Sequence, residues 1–319
     1  MGLGLISGSH SSSCRKGNMG KKNPSSRPSL LLSLICFLSG AARLVDSARV
    51  FTIINQCKTD IWPAVTPSGG ESFGASDGGF LLRAGQSMVF TAPAGWVGRV
   101  WARTGCDFDA AGNGTCETGS CGTSLHCSAS ASAAPPASLA EFTLASVDYY
   151  DVSLVDGFNL PMVITPSLPS NSSGGGNGSC TVAGCDGDLR KDCPPELEVK
   201  GAGGKTVACR SACDVFGTDE YCCRGQYANP VTCQPSFYSK RFKAACPAAY
   251  SYAYDDPTSI FTCSQSPDYT IAFCSNRKQS VCSYHNERLV CSGSGRSWPS
   301  ISALTLVLLL LLLSSFLPL

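Results

Sequence analysis

Histidine is nearly absent. The 319 residues hold three, and only His126 lies away from the ends. One imidazole is a poor start for a Ser-His-Asp triad, which needs a positioned general base. Cysteine is plentiful at twenty, yet no C-x-x-C pair occurs, which argues against tetrahedral zinc. Between residue 50 and about 162 no long segment repeats its apolar residues every 3.6 positions. The glycine run "SSGGGNGS" is followed by no Lys-Ser/Thr and enters no helical pattern, so it is no phosphate cradle. An excess of base is missing too. Residues 49–292 carry 17 lysines and arginines against 22 acids, a net charge of −5, which gives no electrostatic support for a nucleic-acid partner. The sharpest absence is local: residues 104–189 contain no lysine or arginine, against nine acids.

Several segments carry addresses. Residues 30–38, "LLLSLICFL", form an apolar run of secretory-signal length behind Arg15, Lys16, Lys21, Lys22 and Arg27. Small residues follow, and cleavage is expected between Ala42 and Ala48. Translation from Met19 would give a more ordinary leader. The start "MGLGLI" has Ile6 where a myristoylation motif needs Ser or Thr. Residues 301–319 are uncharged and Leu-rich, behind the small residues Ser292, Gly293 and Ser294 and the short spacer "GRSWPS". Small site, spacer and apolar tail are the parts of a GPI signal. We expect attachment at Ser292 and a lipid anchor in the plasma membrane; the alternatives are a retained membrane-spanning tail and a place in the cell wall.

Sixteen cysteines fall between Cys57 and Cys274, with Cys282 and Cys291 beyond them. Behind a signal peptide they are expected to pair as disulfides, in a connectivity that spacing alone does not give. Cys282 and Cys291 are expected to bridge each other. The sequons Asn113, Asn171 and Asn177 lie in Gly/Ser-rich text, as glycosylated surface loops should.

From residue 50 to about 162 the text reads as strands: "RVFTIIN", "SMVFTA", "GRVWAR" and "YDVSLV" are separated by Gly/Pro/Ser clusters. A Ser/Gly-rich linker, 165–180, follows. Residues 180–246 then hold nine cysteines and little apolar text, a segment that its bridges must hold together. Residues 247–275 return to aromatic and β-branched text. The fold class expected is mainly β, a sandwich with a disulfide-rich lobe. The expected division is a leader at 1–48, one domain at 49–275, a polar tail at 276–300 with the extra cysteine pair, and the apolar segment 301–319. Within the domain the sandwich takes about 49–165 and 262–275, and the lobe about 180–261.

Residues 112–122, "GNGTCETGSCG", resemble the signature of the thaumatin-like, pathogenesis-related plant proteins, G-x-x-x-C-x-T-G-D-C-G, with Ser120 where that family usually has Asp. "RVFTIINQC", "PPASLAEFTL", "DYYDVSLVDGFNLPM", "YCCRGQY", "YSYAYDDPTSIFTC" and "DYTIAFC" are similar to it as well, and the match covers about 49–275. The resemblance implies a thaumatin-type β-sandwich. It implies the pairs Cys57–Cys274, Cys106–Cys116, Cys121–Cys127, Cys180–Cys263, Cys185–Cys246, Cys193–Cys209, Cys213–Cys222 and Cys223–Cys233. It also implies an acidic cleft lined here by Arg99, Glu141, Asp151, Asp156 and Asp255, with Arg103 competing for the place of Arg99 and Asp256 for that of Asp255. The segment between Glu141 and Asp151 is a few residues shorter than in many members.

Asp107, Asp109, Glu117, Asp186 and Asp188 sit in Gly- or Cys-rich loops and are expected to face water. Asp151 and Asp156 differ in strand parity, so a shared cleft needs a bend, and the "DG" at 156–157 offers one. Carboxylates accept hydrogen bonds from sugar hydroxyls, and Tyr149, Tyr150, Phe158, Tyr252 and Tyr254 are candidates for stacking on sugar rings. The resemblance implies β-1,3-glucan as ligand and an antifungal, secreted role at the plant cell surface. A second reading is weak endo-β-1,3-glucanase activity, with Glu141 as acid and Asp156 as its partner. A third is a surface receptor or an inhibitor of foreign hydrolases. We expect a monomer, no cofactor and no metal.

Overall fold

The computed structural model describes residues 47–68, 78–167, 180–264 and 267–275, together with the backbone of 281–285 and 288–292. Residues 1–46 of the leader, the sequons Asn171 and Asn177 and the apolar segment 301–319 lie outside the described residues, as does the side chain of Ser292. Among the described residues, no helix is long and apolar enough to cross a membrane.

Sixteen strands follow in order. They are β1 (Arg49–Asn55), β2 (Trp62–Pro67), β3 (Gln86–Ala92), β4 (Val97–Arg103), β5 (Asp107–Phe108), β6 (Gly114–Thr115), β7 (Leu139–Thr143) and β8 (Asp148–Ser153). Then come β9 (Met162–Ser167), β10 (Ala183–Cys185), β11 (Glu198–Lys200), β12 (Thr206–Cys209), β13 (Phe261–Cys263), β14 (Asp268–Phe273), β15 (Val281–His285) and β16 (Arg288–Ser292). Seven of them form one sheet, in the order β10-β9-β14-β1-β3-β15-β16. Five form a second, in the order β13-β8-β7-β4-β2. The pairing of β15 with β16 sets Cys282 directly opposite Cys291.

Alternation along β1 turns Phe51 and Ile53 inward with no exposure, while Val50 faces out. Phe51 stacks on Phe90 and Tyr269 and meets Phe142 of the other sheet edge-on, at 4.9 Å between centroids. Each such ring contact adds roughly 1 kcal/mol beyond the area it buries. Arg49 also points inward, 1 % exposed. Its guanidinium reaches Asp148 of β8 at 2.9 and 3.1 Å, and the Tyr269 hydroxyl donates to the same carboxylate at 3.0 Å. A fully hydrogen-bonded ion pair therefore crosses between the sheets.

Parity then fixes the other face of the five-stranded sheet. Phe142, Tyr150 and Val152 fill the core between the sheets. Their neighbours Glu141, Tyr149, Asp151 and Ser153 must point away from it. Over that outer face lies the cysteine-rich lobe. The carbonyls of Val152 and Tyr250 accept from Tyr250 and Leu154 respectively, which docks the lobe backbone onto the end of β8.

The lobe holds the hairpin β11–β12 and short helices at Ala212–Phe216, Asp219–Cys222, Phe237–Ala245 and Asp256–Ser259. None has the length at which a helix stands alone in water. Ser211, Thr218 and Ser236 cap the first three with side-chain oxygens. The bridges Cys193–Cys209, Cys213–Cys222 and Cys223–Cys233 staple the lobe. Cys185–Cys246 and Cys180–Cys263 tie the end of the large sheet to the lobe and to β13. Cys57–Cys274 closes the two ends of the domain, and Cys106–Cys116 and Cys121–Cys127 fasten the loops after β4.

Candidate functional site

The outer face of the five-stranded sheet carries a row of charged side chains in exact opposition. Thr66 of β2 pairs with Arg99 of β4, Arg99 with Glu141 of β7, and Glu141 with Asp151 of β8. Directly opposed side chains have Cβ atoms about 5 Å apart, so the row is a contiguous surface. Arg99 Nε lies 2.7 Å from Glu141 Oε1. Both side chains stay partly open to solvent, which limits what the pair adds to stability.

Asp151 is different. It is 9 % exposed, and its Oδ1 has no hydrogen-bond partner. Burial first, then the charge of Glu141, pushes its carboxyl up to about 8; Arg99 pulls it down and Asp256 adds to the rise. At neutral pH it is a protonated acid, a hydrogen-bond donor between two charged neighbours.

Asp156 joins the site through a turn. The amide of Gly157 donates to the Leu154 carbonyl at 3.0 Å, reversing the chain just past β8. Gly157 has φ +92°, and a Cβ there would lie 2.7 Å from Pro136 Cβ and 2.8 Å from the Cys209 carbonyl. Only glycine fits. Past the reversal Asp156 feels the same Arg99 that acts on Asp151, despite their different strand parity. Burial raises the Asp156 carboxyl, Arg99 opposes that, and Asp214 of the lobe reinforces it.

Asp255 does not join. It is buried, and its Oδ2 accepts from the Ser251 amide and hydroxyl at 2.9 and 2.8 Å and faces Lys243 Nζ at 3.0 Å. Burial alone would raise it, but the Ser251 and Lys243 contacts outweigh burial and hold it below the usual carboxylate range. Its acceptors are committed to the lobe's own structure. Asp256 takes the position facing the row: it accepts from the Tyr250 hydroxyl at 2.7 Å and acts on Asp151. Arg103 is also elsewhere. It is fully buried beside β2, donating to the Trp62 and Ser124 carbonyls, with its guanidinium over the Phe108 ring.

Of the aromatic candidates, Tyr150 and Phe158 belong to the core, Tyr149 is exposed on the outer face, and Tyr252 and Tyr254 are half-buried in the lobe. Tyr252 lines a cavity of about 210 Å³ together with Asp156, Tyr221 and Tyr238. Those two tyrosines carry no sequence signal, because only the chain reversals of the lobe bring them to the cleft. Among the described residues, no group of His, Cys, Asp and Glu is arranged to hold a metal ion. Asn113 is exposed, and Asp109 beside it accepts from the Ala111 and Asn113 amides.

A profile of the thaumatin family matches residues 55–275. The pathogenesis-related thaumatin-like protein 3.5 of Cryptomeria japonica is 54% identical over 227 residues, 71% of this chain and 90% of that protein. Pathogenesis-related protein 5 of Arabidopsis thaliana is 50% identical over 247 residues, 76% of this chain and 96% of its own. Among solved structures, a thaumatin-like xylanase inhibitor aligns over 70% of this chain and 99% of that one, at 25% identity and a TM-score of 0.37.

Proposed function

Since this chain belongs to the thaumatin family, among its plant pathogenesis-related members, we propose that it is a secreted defence protein whose cleft between sheet and lobe binds β-1,3-glucan. The observation that carries this reading is the row Arg99–Glu141–Asp151, with one buried carboxyl oxygen of Asp151 left unpartnered. A sugar hydroxyl both donates and accepts. The row offers it a guanidinium donor, a carboxylate acceptor and a neutral carboxylic acid donor in sequence. Asp156 and Asp256 extend the surface on the lobe side. The leader at 1–48, glycosylation at Asn113, Asn171 and Asn177, the lipid anchor at Ser292 and a monomeric state belong to the same proposal.

Hydrolysis is the second reading, and one observation favours it with altered roles. Glycosidases need a proton donor and a second carboxylate. Asp151, raised to about 8, suits the donor better than Glu141, which is engaged with Arg99. The direct opposition of Glu141 and Asp151, with Cβ atoms about 5 Å apart, supports a carboxyl pair of the close spacing that retaining enzymes use.

The test is titration of the purified secreted protein with a soluble β-1,3-glucan oligomer, beside reducing-end release, for wild type, Glu141→Gln and Asp151→Asn. Binding weakened in Glu141→Gln supports the cleft; binding unchanged in both variants refutes it. Asn keeps an N–H donor but no transferable proton. Asp151→Asn that binds but no longer releases reducing ends would identify Asp151 as the acid, and no release from any of the three makes the protein a binding module.

A further inference from the structure

The cavity beside Asp156 has a chemistry of its own. Its volume, about 210 Å³, is below the usual span of drug-sized pockets, ~300–1,000 Å³, and suits one sugar-sized group. Tyr221, Tyr238 and Tyr252 line it, and Tyr221 and Tyr238 pack at 5.7 Å in an aromatic cluster with Phe216 and Phe237. Asp156, Asp214 and Glu220 also line it, and among the described residues no lysine or arginine does. Lys243, the nearby lobe cation, is spent on Asp255, Ala249 and Ser259. Arg99 acts on Asp156 from the sheet side, while Asp214 opposes it.

We propose that this cavity binds a protonated primary amine carried on a pyranose ring, the unit of a glucosamine oligomer. A neutral sugar would take Asp156 further out of water and leave its repulsion with Asp214 uncompensated. An ammonium group relieves both, and aromatic faces attract a cation through the ring quadrupole. The ring is inferred from continuity: the cavity shares Asp156 with the glucan cleft, so the inference rests on that reading for its sugar and on the cavity alone for its amine. Asp214 sits in the first turn of the Ala212–Phe216 helix, exposed and without a side-chain partner among the described residues, so Asp214→Asn removes charge from the wall and leaves the sheet row untouched.

The experiment is calorimetric titration of the secreted protein with a β-1,4-linked glucosamine tetramer, its fully N-acetylated counterpart, spermidine and a β-1,3-glucan oligomer. Wild type, Asp214→Asn, Glu220→Gln and Glu141→Gln are compared. The expected result is binding of the glucosamine tetramer, weakened about tenfold or more by N-acetylation and by Asp214→Asn, with β-1,3-glucan affinity unchanged in Asp214→Asn. Equal binding of the N-acetylated tetramer, or full retention in both Asp214→Asn and Glu220→Gln, overturns the amine site. Spermidine bound as tightly as the tetramer overturns the ring. Loss of β-1,3-glucan binding alone would sink the cleft reading and leave the amine site standing, and Glu141→Gln separates the two because it lies outside the cavity.

Discussion

Asp151→Asn separates the burial of a side chain from the burial of a charge. The carboxyl is 9 % exposed and lifted to about 8 in the folded protein, against ~3.9 in an unfolded chain. Between those values the native state holds one proton that the unfolded state has lost. Stability then falls as pH rises, by about 1.4 kcal/mol per pH unit for this one group. From pH 4 to pH 7 that amounts to about 4 kcal/mol. Asparagine has the same shape and no charge, so the variant escapes the loss. About one pH unit or more below ~3.9 the acid is neutral in both states, and the difference between the two proteins reflects only amide for carboxylic acid.

The assay is guanidinium unfolding with disulfides intact, wild type beside variant, from pH 3 to pH 9. Most other groups titrate alike in both proteins and cancel in the difference. The variant should gain on wild type steadily from about pH 4 and level off past about pH 8. Because Glu141 is the second cause of the shift, a Glu141→Gln background should bring the plateau to lower pH. A difference that stays flat between pH 4 and pH 8 would show that Asp151 ionises like an ordinary carboxylate. Its role as a neutral donor would then fall.

Arg49→Met should destabilise the fold by about 3–5 kcal/mol, because Asp148 is left charged and fully buried. The double variant with Asp148→Leu should recover much of that, and a double variant as unstable as the single would refute the ion-pair account. Replacing Cys57 and Cys274 by serine opens a bridge between positions 217 apart, worth about 5 kcal/mol by the loop-entropy relation. A guanidinium midpoint unmoved by that change would contradict it. Gly157→Ala should cost about 1–3 kcal/mol through its positive φ and its contact with Pro136. It should also shift the Asp156 carboxyl carbon resonance, and an unchanged spectrum and melting temperature would mean that the 154–157 turn does not position Asp156.

The strands were legible because their alternation was strong. "RVFTIIN" is β1 as written, and "GRVWAR" falls within β4. The nine-residue helix at Phe237–Ala245 was not, since it buries only Ser239 and Phe242 and presents no apolar stripe. The choice between Asp255 and Asp256 was a one-residue ambiguity decided by Lys243, and no local pattern announces which lysine a turn will meet. Register was the larger gap. Parity can place Glu141 and Asp151 on one face, but the opposition of Arg99 and Glu141 joins strands separated by a long disulfide-bonded excursion, whose length says nothing about alignment.

The base-free stretch 104–189 now has a physical account. Three of its acids pair with cations outside it, one is held by backbone amides within it, and one does without charge. Asp148 takes Arg49 from the first strand, and Glu141 takes Arg99 from just before the stretch begins. Asp188 takes Arg190 from just past its end, while Asp109 uses backbone amides. Asp156 leans electrostatically on the same Arg99 that Glu141 occupies. That leaves one cation serving three acids, Glu141, Asp151 and Asp156. Asp151, the most deeply buried of the three, resolves the deficit by keeping its proton. A fourth charge brought into the cleft should therefore decide how the row behaves. A bound cation would favour ionised Asp151 and release its proton, whereas a neutral sugar would leave it in place. Proton uptake or release on titration with each ligand, read from binding heats in two buffers of different ionisation enthalpy, distinguishes them. Equal proton release with neutral and cationic ligands would show that Asp151 is not the group holding the balance.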